Sequence, residues 1–227
     1  MKDVLHLLES QREAERRFVA EAAVERAYPR GWPAGLLMAH IASWREKLRG
    51  ALIETSRGEP VSGPPLDIDA FNAVELARNA RISLEEGATR AERLLADLID
   101  LWATLGDRPF SWFTAKTTGE ALVRNSYLHP RVHLAEHYLE RGDRTRGQEI
   151  FEESAAELRR TDTPRHILAP AIYKLAGVRV AQGRQDEALE LLAEAFVMRD
   201  ELRSDAATDP DMALLKTLPR FQALIIG

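Results

Sequence analysis

The chain has 227 residues, 45% of them apolar and 30% charged, the composition of a soluble globular protein long enough to bury a sizeable core. A net charge of -5 excludes a general nucleic-acid or membrane-surface binder, because phosphate affinity requires a basic face. The absence of cysteine removes disulfides, thiolate metal ligands and cysteine nucleophiles together.

The opening MKDVLHLLESQREAERRF reads as an amphipathic charged helix rather than a signal peptide. No run approaches the ~18 apolar residues needed to span a bilayer, so a cytoplasmic location is expected. Across residues 3–26, Leu5, Leu8, Phe18, Val19 and Ala22 recur at mixed three- and four-residue spacing, the mark of a helix. A turn, YPRGWP (28–33), follows, and Pro33 suits the first position of a second helix. That helix carries Leu36, Leu37, His40, Ile41, Trp44, Leu48 and Leu52 along one stripe.

SRGEPVSGPPLD (56–67) is a loop rich in proline and glycine, after which DAFNAVELARN (69–79) is helical again. Ser83 with Glu86 forms a capping-box signature for a third long helix, whose apolar face is Leu94, Leu95, Leu98, Leu101, Trp102 and Leu105. GDRPFSWF (106–113) is a second loop. Thr117 with Glu120 opens a fourth helix that runs through HPRVHLAEH (129–137). Pro130 lies inside that pattern; it removes a donor and disfavours helix at His129, which predicts a kink or a fresh start. Strand signals are missing. Residues 1–141 thus suit a four-helix bundle in an all-α protein.

The texture changes over 142–227. IYKLAGVRVAQGRQDEALELLAEAF (172–196) places Leu175 and Ala176 on one helix, Gly183 at a turn, and Ala188, Leu192 and Ala195 on the next. That resembles a tetratricopeptide repeat. The same template fits the histidine helix with Gly142 at the turn: Leu134, Ala135 and Tyr138 before it, then Gly147, Phe151 and Ser154. The first repeat would then share the helix around 130–141. The two turns are 41 residues apart, wider than the usual ~34, which predicts a long loop around TDTPRH. The tail ATDPDMALLKTLPRFQALI resembles the capping helix that closes such arrays.

Three of the six histidines fall within 129–137. His133 and His137, four apart, stack on one helical face. On a helical wheel they lie about 130° from the side marked by Leu134, Ala135 and Tyr138, so they face the bundle or solvent. His40 sits within the apolar stripe of the second helix and points into the bundle, where an unpartnered imidazole is costly. Neutral His40, His133 and His137, converging from two helices, could hold a divalent ion and leave a position open for water or substrate. His129 could replace either ligand or cap the helix after Pro130. His6 and His166 read as surface or cap residues.

HLAEH also matches the inverted zinc-protease signature H-x-x-E-H, but no strands exist to supply that scaffold; Glu136 fits better as a group orienting an imidazole. No glycine-rich phosphate loop, dinucleotide fingerprint or G-x-S-x-G is present. Asp67, Asp69 and Asn72 suit a cleft mouth or simply a helix start. Trp32, Trp44, Trp102 and Trp112 are core anchors or walls of a ligand pocket.

GWPAGLLMAHIASWREKL (31–48), with a tryptophan, a histidine and a second tryptophan in that order, resembles the second-helix signature of the DinB-like superfamily. DIDAFNAVELARN and the long third helix are similar to its ClbS/DfsB type. The resemblance covers 1–141 and implies a DinB-like four-helix bundle, followed over 142–227 by tetratricopeptide-like helices. It implies a divalent metal, zinc or nickel, on His40, His133 and His137, although some bundles of this type work without metal. The HPxxH pattern around Pro130 leaves open whether His129 or His137 joins. Implied activities are a hydrolase or a thiol-dependent transferase acting on small electrophilic molecules. The alternative is a non-catalytic interaction module that binds a peptide or protein through its helical-repeat surface. A small-molecule substrate is expected, neither nucleic acid nor membrane is, and a homodimer is compatible with the pattern.

Overall fold

The computed structural model describes residues 3–24 and 31–226. Among them the chain is all-α apart from one short hairpin, and it divides into two compact units, Met1–Gly147 and Gln148–Gly227. Residues 25–26 of the first expected helix, and Tyr28, Pro29 and Arg30 of the YPRGWP turn, lie outside the described residues. No helix among the described residues is long and apolar enough to cross a membrane.

The first unit is built from four helical rods. These are α1 (Val4–Ala22), α2 (Ala34–Arg57), α4 (Leu84–Leu105) and a composite rod; α3 (Ile68–Arg78) packs against α2. The composite rod runs from α5 (Thr118–Val123) through a π-helical turn (Arg124–Leu128) into α6 (His129–Glu140). The expected stops and starts are there. Ser83 and Glu86 close a full capping box on α4, and the Thr117 hydroxyl accepts from the Glu120 N–H on α5. Leu7, Leu8, Phe18, Ile41, Leu48, Leu95, Leu98 and Leu122 are almost completely buried, each worth roughly 1.5–3 kcal/mol against solvent exposure.

Glycine lets α2 and α4 approach closely. A methyl group at Gly87 would lie 2.6 Å from the Gly35 carbonyl oxygen, backbone that cannot step aside. At the centre of the rods sits a charged pair. The Arg45 guanidinium on α2 donates to both carboxylate oxygens of Glu15 on α1, at 2.8 and 2.5 Å. It also reaches the Ala91 carbonyl on α4 and the Ser126 carbonyl in the π-turn. One buried cation therefore ties all four rods. Its hydrogen bonds make the burial tolerable and fix the register of the rods at the same time.

The π-turn follows from Pro130. A proline there cannot donate to the carbonyl of Ser126, four residues back, and its ring would crowd that carbonyl. The chain widens by one residue instead: the His129 N–H donates to the Arg124 carbonyl, and Arg45 supplies the donor that Ser126 lacks. The kink expected at Pro130 takes this form.

Two readings of the loop GDRPFSWF need correction, because β1 (Pro109–Trp112) pairs antiparallel with β2 (Ala115–Thr117). The strands are too short for alternation to show in the sequence, yet Phe110 and Trp112 point inward while Pro109 and Ser111 face out. No Asn-Gly marks the turn. Phe113 occupies it at φ 53°, a conformation that glycine normally supplies.

α7 (Arg144–Arg160) leads into the second unit, which continues through α8 (Arg165–Ala181), α9 (Gln185–Met198), α10 (Leu202–Thr208), a 3-10 turn (Pro210–Leu215) and α11 (Pro219–Ile226). α8 and α9 form the expected helical pair around Gly183, at φ 76°, and bury Leu175, Ala176, Ala188, Leu192 and Ala195. Within this unit α7 is tied to its neighbours by Arg179 on Glu152 and Arg159 on Glu194. The loop around TDTPRH is short, residues 161–164, not long: the wide turn spacing is taken up by two 17-residue helices. The tail is not one capping helix but three short segments. Pro210 and Pro219 each begin a new one.

Candidate metal centre

His40 projects from the first half of α2, inside a stretch from Leu37 to Arg45 that is buried without a break, and is itself 3% exposed. His129 starts α6, and His133 lies one turn further along it. The Nε2 atoms of His40 and His129 are 3.2 Å apart, and those of His133 and His129 are 3.0 Å apart. One ring nitrogen from each of the three lies within 4.8 Å of the others. The structure thus joins the expected His40 and His133 through His129. It places His137 elsewhere: that ring is buried edge-on against Phe18, with centroids 4.8 Å apart, beside Tyr138.

Proton counting explains what this cluster is suited for. A ring nitrogen has one in-plane direction, occupied either by a proton or by a lone pair, so it makes one good hydrogen bond. The His129 Nε2 has two imidazole nitrogens at hydrogen-bond distance and can satisfy only one. The outer nitrogens do not resolve the conflict. Those of His40 and His129 are buried with no hydrogen-bond partner among the described residues. Only His133 has an acidic neighbour there, Glu136, whose carboxylate lies 3.6 Å from Nδ1, close enough to favour a proton on that side. A cation accepting all three inner lone pairs removes the frustration. Zinc–nitrogen bonds of ~2.0–2.1 Å at tetrahedral angles place ligand nitrogens about 3.3 Å apart, near the two short separations seen here.

Two of the rings, His40 and His129, are held toward the neutral form. Burial, and then the neighbouring His133, pushes His40 down to about 3. Burial, followed by His133, His40 and Arg124, holds His129 well below the ordinary imidazole range. Neutral imidazole is the form that binds a metal.

A cavity of about 280 Å³ opens beside the cluster. Trp32, Trp44, Ile68 and Phe113 wall it, and Asn72 and Arg124 reach it with polar groups. Trp32 stacks on His133 at 5.9 Å and meets His40 edge-on at 5.0 Å. Trp44 donates its indole N–H to Asn72, whose α3 position thereby becomes part of the wall. Asp67, by contrast, only caps α3, accepting from the Ala70 N–H, and Trp112 is wholly buried. His129, expected as a substitute ligand or a helix cap, thus sits at the middle of the cluster, and Arg45 and Arg124 bear on it without a place in the expected ligand set. Arg45 carried a signal, since it falls within the same apolar stripe as Ile41 and Leu48.

Comparison with protein-family models, with curated proteins and with solved structures finds no match to this chain.

Proposed function

We propose that the first unit is a metal-dependent enzyme of the DinB-like type, a hydrolase or thiol-dependent transferase acting on small electrophilic molecules. One observation carries the reading: three imidazoles from α2 and α6 bring ring nitrogens within 4.8 Å of one another on the wall of an aromatic cavity. Three protein ligands leave a coordination position open to water or a thiol, the arrangement of catalytic rather than structural zinc sites. A divalent cation held there would lower the pKa of that nucleophile and stabilise negative charge developing on the electrophile.

The chain's own groups do the rest. Trp32 and Trp44 flank the histidines, keep bulk water off them and offer flat faces to an apolar substrate. Glu136 steadies the ring of His133. Trp32, His40 and Trp44, which carry the second-helix part of the DinB-like resemblance, all line this one cavity. The α8–α9 pair with its glycine turn supports a tetratricopeptide-like reading of the second unit in the same way.

The test uses chelator-stripped protein reloaded with zinc or nickel. The loaded protein is incubated with 1-chloro-2,4-dinitrobenzene, with and without a small thiol, and the products are followed by mass. Consumption that requires the metal and disappears in His129→Ala is the expected result. A rate indifferent to both metal and variant would leave the repeat-like unit as the remaining seat of function, that of an interaction module.

A further inference from the structure

Among the described residues that line the cavity beside the histidines there is no carboxylate, and apart from the histidines the ionisable one is Arg124. In a regular α-helix a residue five positions on is turned by about 140°, so Arg124 and His129 would face different ways. The π-turn changes this. With the His129 N–H bonded to the Arg124 carbonyl, residue i+5 returns close to the column of residue i, and both side chains reach the same cavity. The guanidinium lies over the Phe113 ring, 4.2 Å from its centroid, which sets the plane of its donors. Phe113, in the hairpin turn, sits at φ 53°, a strained backbone conformation. The space, about 280 Å³, is just below the ~300–1,000 Å³ of typical small-molecule pockets.

We propose that this cavity binds a small molecule carrying a carboxylate on a flat apolar body, the anion paired with Arg124 and the body against Trp32 and Trp44. This assignment rests on the metal-centre reading and names the substrate class for it. A guanidinium recognises a carboxylate through two parallel N–H donors, and an adjoining aromatic wall leaves little water to compete. A neutral ligand of the same shape would lack that pairing.

Benzoate and benzamide share a shape and differ in charge. Both are titrated by calorimetry into metal-stripped and zinc-loaded protein, with zinc uptake measured on the same samples. The expected result is a preference of about tenfold for benzoate in the stripped protein, erased in Arg124→Met and partly kept in Arg124→Lys. Equal affinities in the stripped wild-type protein sink the proposal, whether or not either variant folds. So does a benzoate preference that survives Arg124→Met. A preference seen only with zinc also sinks it, because the anion then sits on the metal. Normal zinc uptake without benzoate preference removes this proposal alone. Benzoate preference without zinc uptake removes the metal-centre reading alone.

Discussion

Two buried histidines make stability depend on acid in a calculable way. His40 is pushed down to about 3 and His137 to about 4, chiefly by burial, against 6.5 for an ordinary imidazole. Above that ordinary value neither the folded nor the unfolded chain binds these protons, and stability is complete. As the pH falls below it, the unfolded chain takes up protons that the fold refuses, and stability drains away until the folded values are reached. At pH 5.5 each site costs about 1.4 kcal/mol relative to pH 7.5, together about 3 kcal/mol for metal-free protein. His129, depressed in the same direction, adds to the loss. His137→Phe keeps a flat ring against Phe18 but abolishes one titration, so its loss between the two pH values should be smaller by about 1.4 kcal/mol. Urea unfolding at pH 7.5 and 5.5, without metal, measures this. A wild-type midpoint unchanged between the two, or a variant as acid-sensitive as wild type, refutes the reasoning.

Removing one partner of the central ion pair, by Glu15→Gln or Arg45→Met, should cost about 3–5 kcal/mol in denaturant unfolding, since it leaves a buried group uncompensated. The double variant Glu15→Leu with Arg45→Met should recover much of that loss. Two glycines in the rods should respond oppositely to alanine. Gly50→Ala, with nothing within 4 Å, should gain roughly 0.5–1 kcal/mol and raise Tm, whereas Gly87→Ala, driven into the Gly35 carbonyl, should lower Tm at a cost of about 1–3 kcal/mol.

The rods were legible because amphipathic spacing, capping boxes and punctuating loops are local signals: α1 and α2 show the spacing, and α4 adds a capping box. His40 was legible as a polar residue inside an apolar stripe. The choice between His129 and His137 was not. Both lie one turn from His133, in opposite directions, and a helical wheel gives the angle of a side chain but not its height along the axis. Four residues rise about 6 Å, so only the packing of α2 against α6 decides which turn stands level with His40. Arg124 was hidden for a different reason. A wheel assumes a regular helix, and the π-turn rotates Arg124 onto the histidine face. Pro130, which forces the turn, was visible, but that Arg45 would serve the abandoned Ser126 carbonyl depends on a contact 81 residues distant in sequence. In the second unit, Pro210 and Pro219, both plain in the sequence, are enough to break the expected capping helix.

Elemental analysis of untagged protein, purified without added metal and then exposed to zinc, nickel and cobalt, bears most directly on the metal centre. Wild-type protein and His137→Ala should each retain about one ion per chain, while His40→Ala, His129→Ala and His133→Ala should retain none. Folded wild-type protein that holds no ion under any of these conditions, or an ion lost from His137→Ala yet kept by His129→Ala, would contradict the assignment.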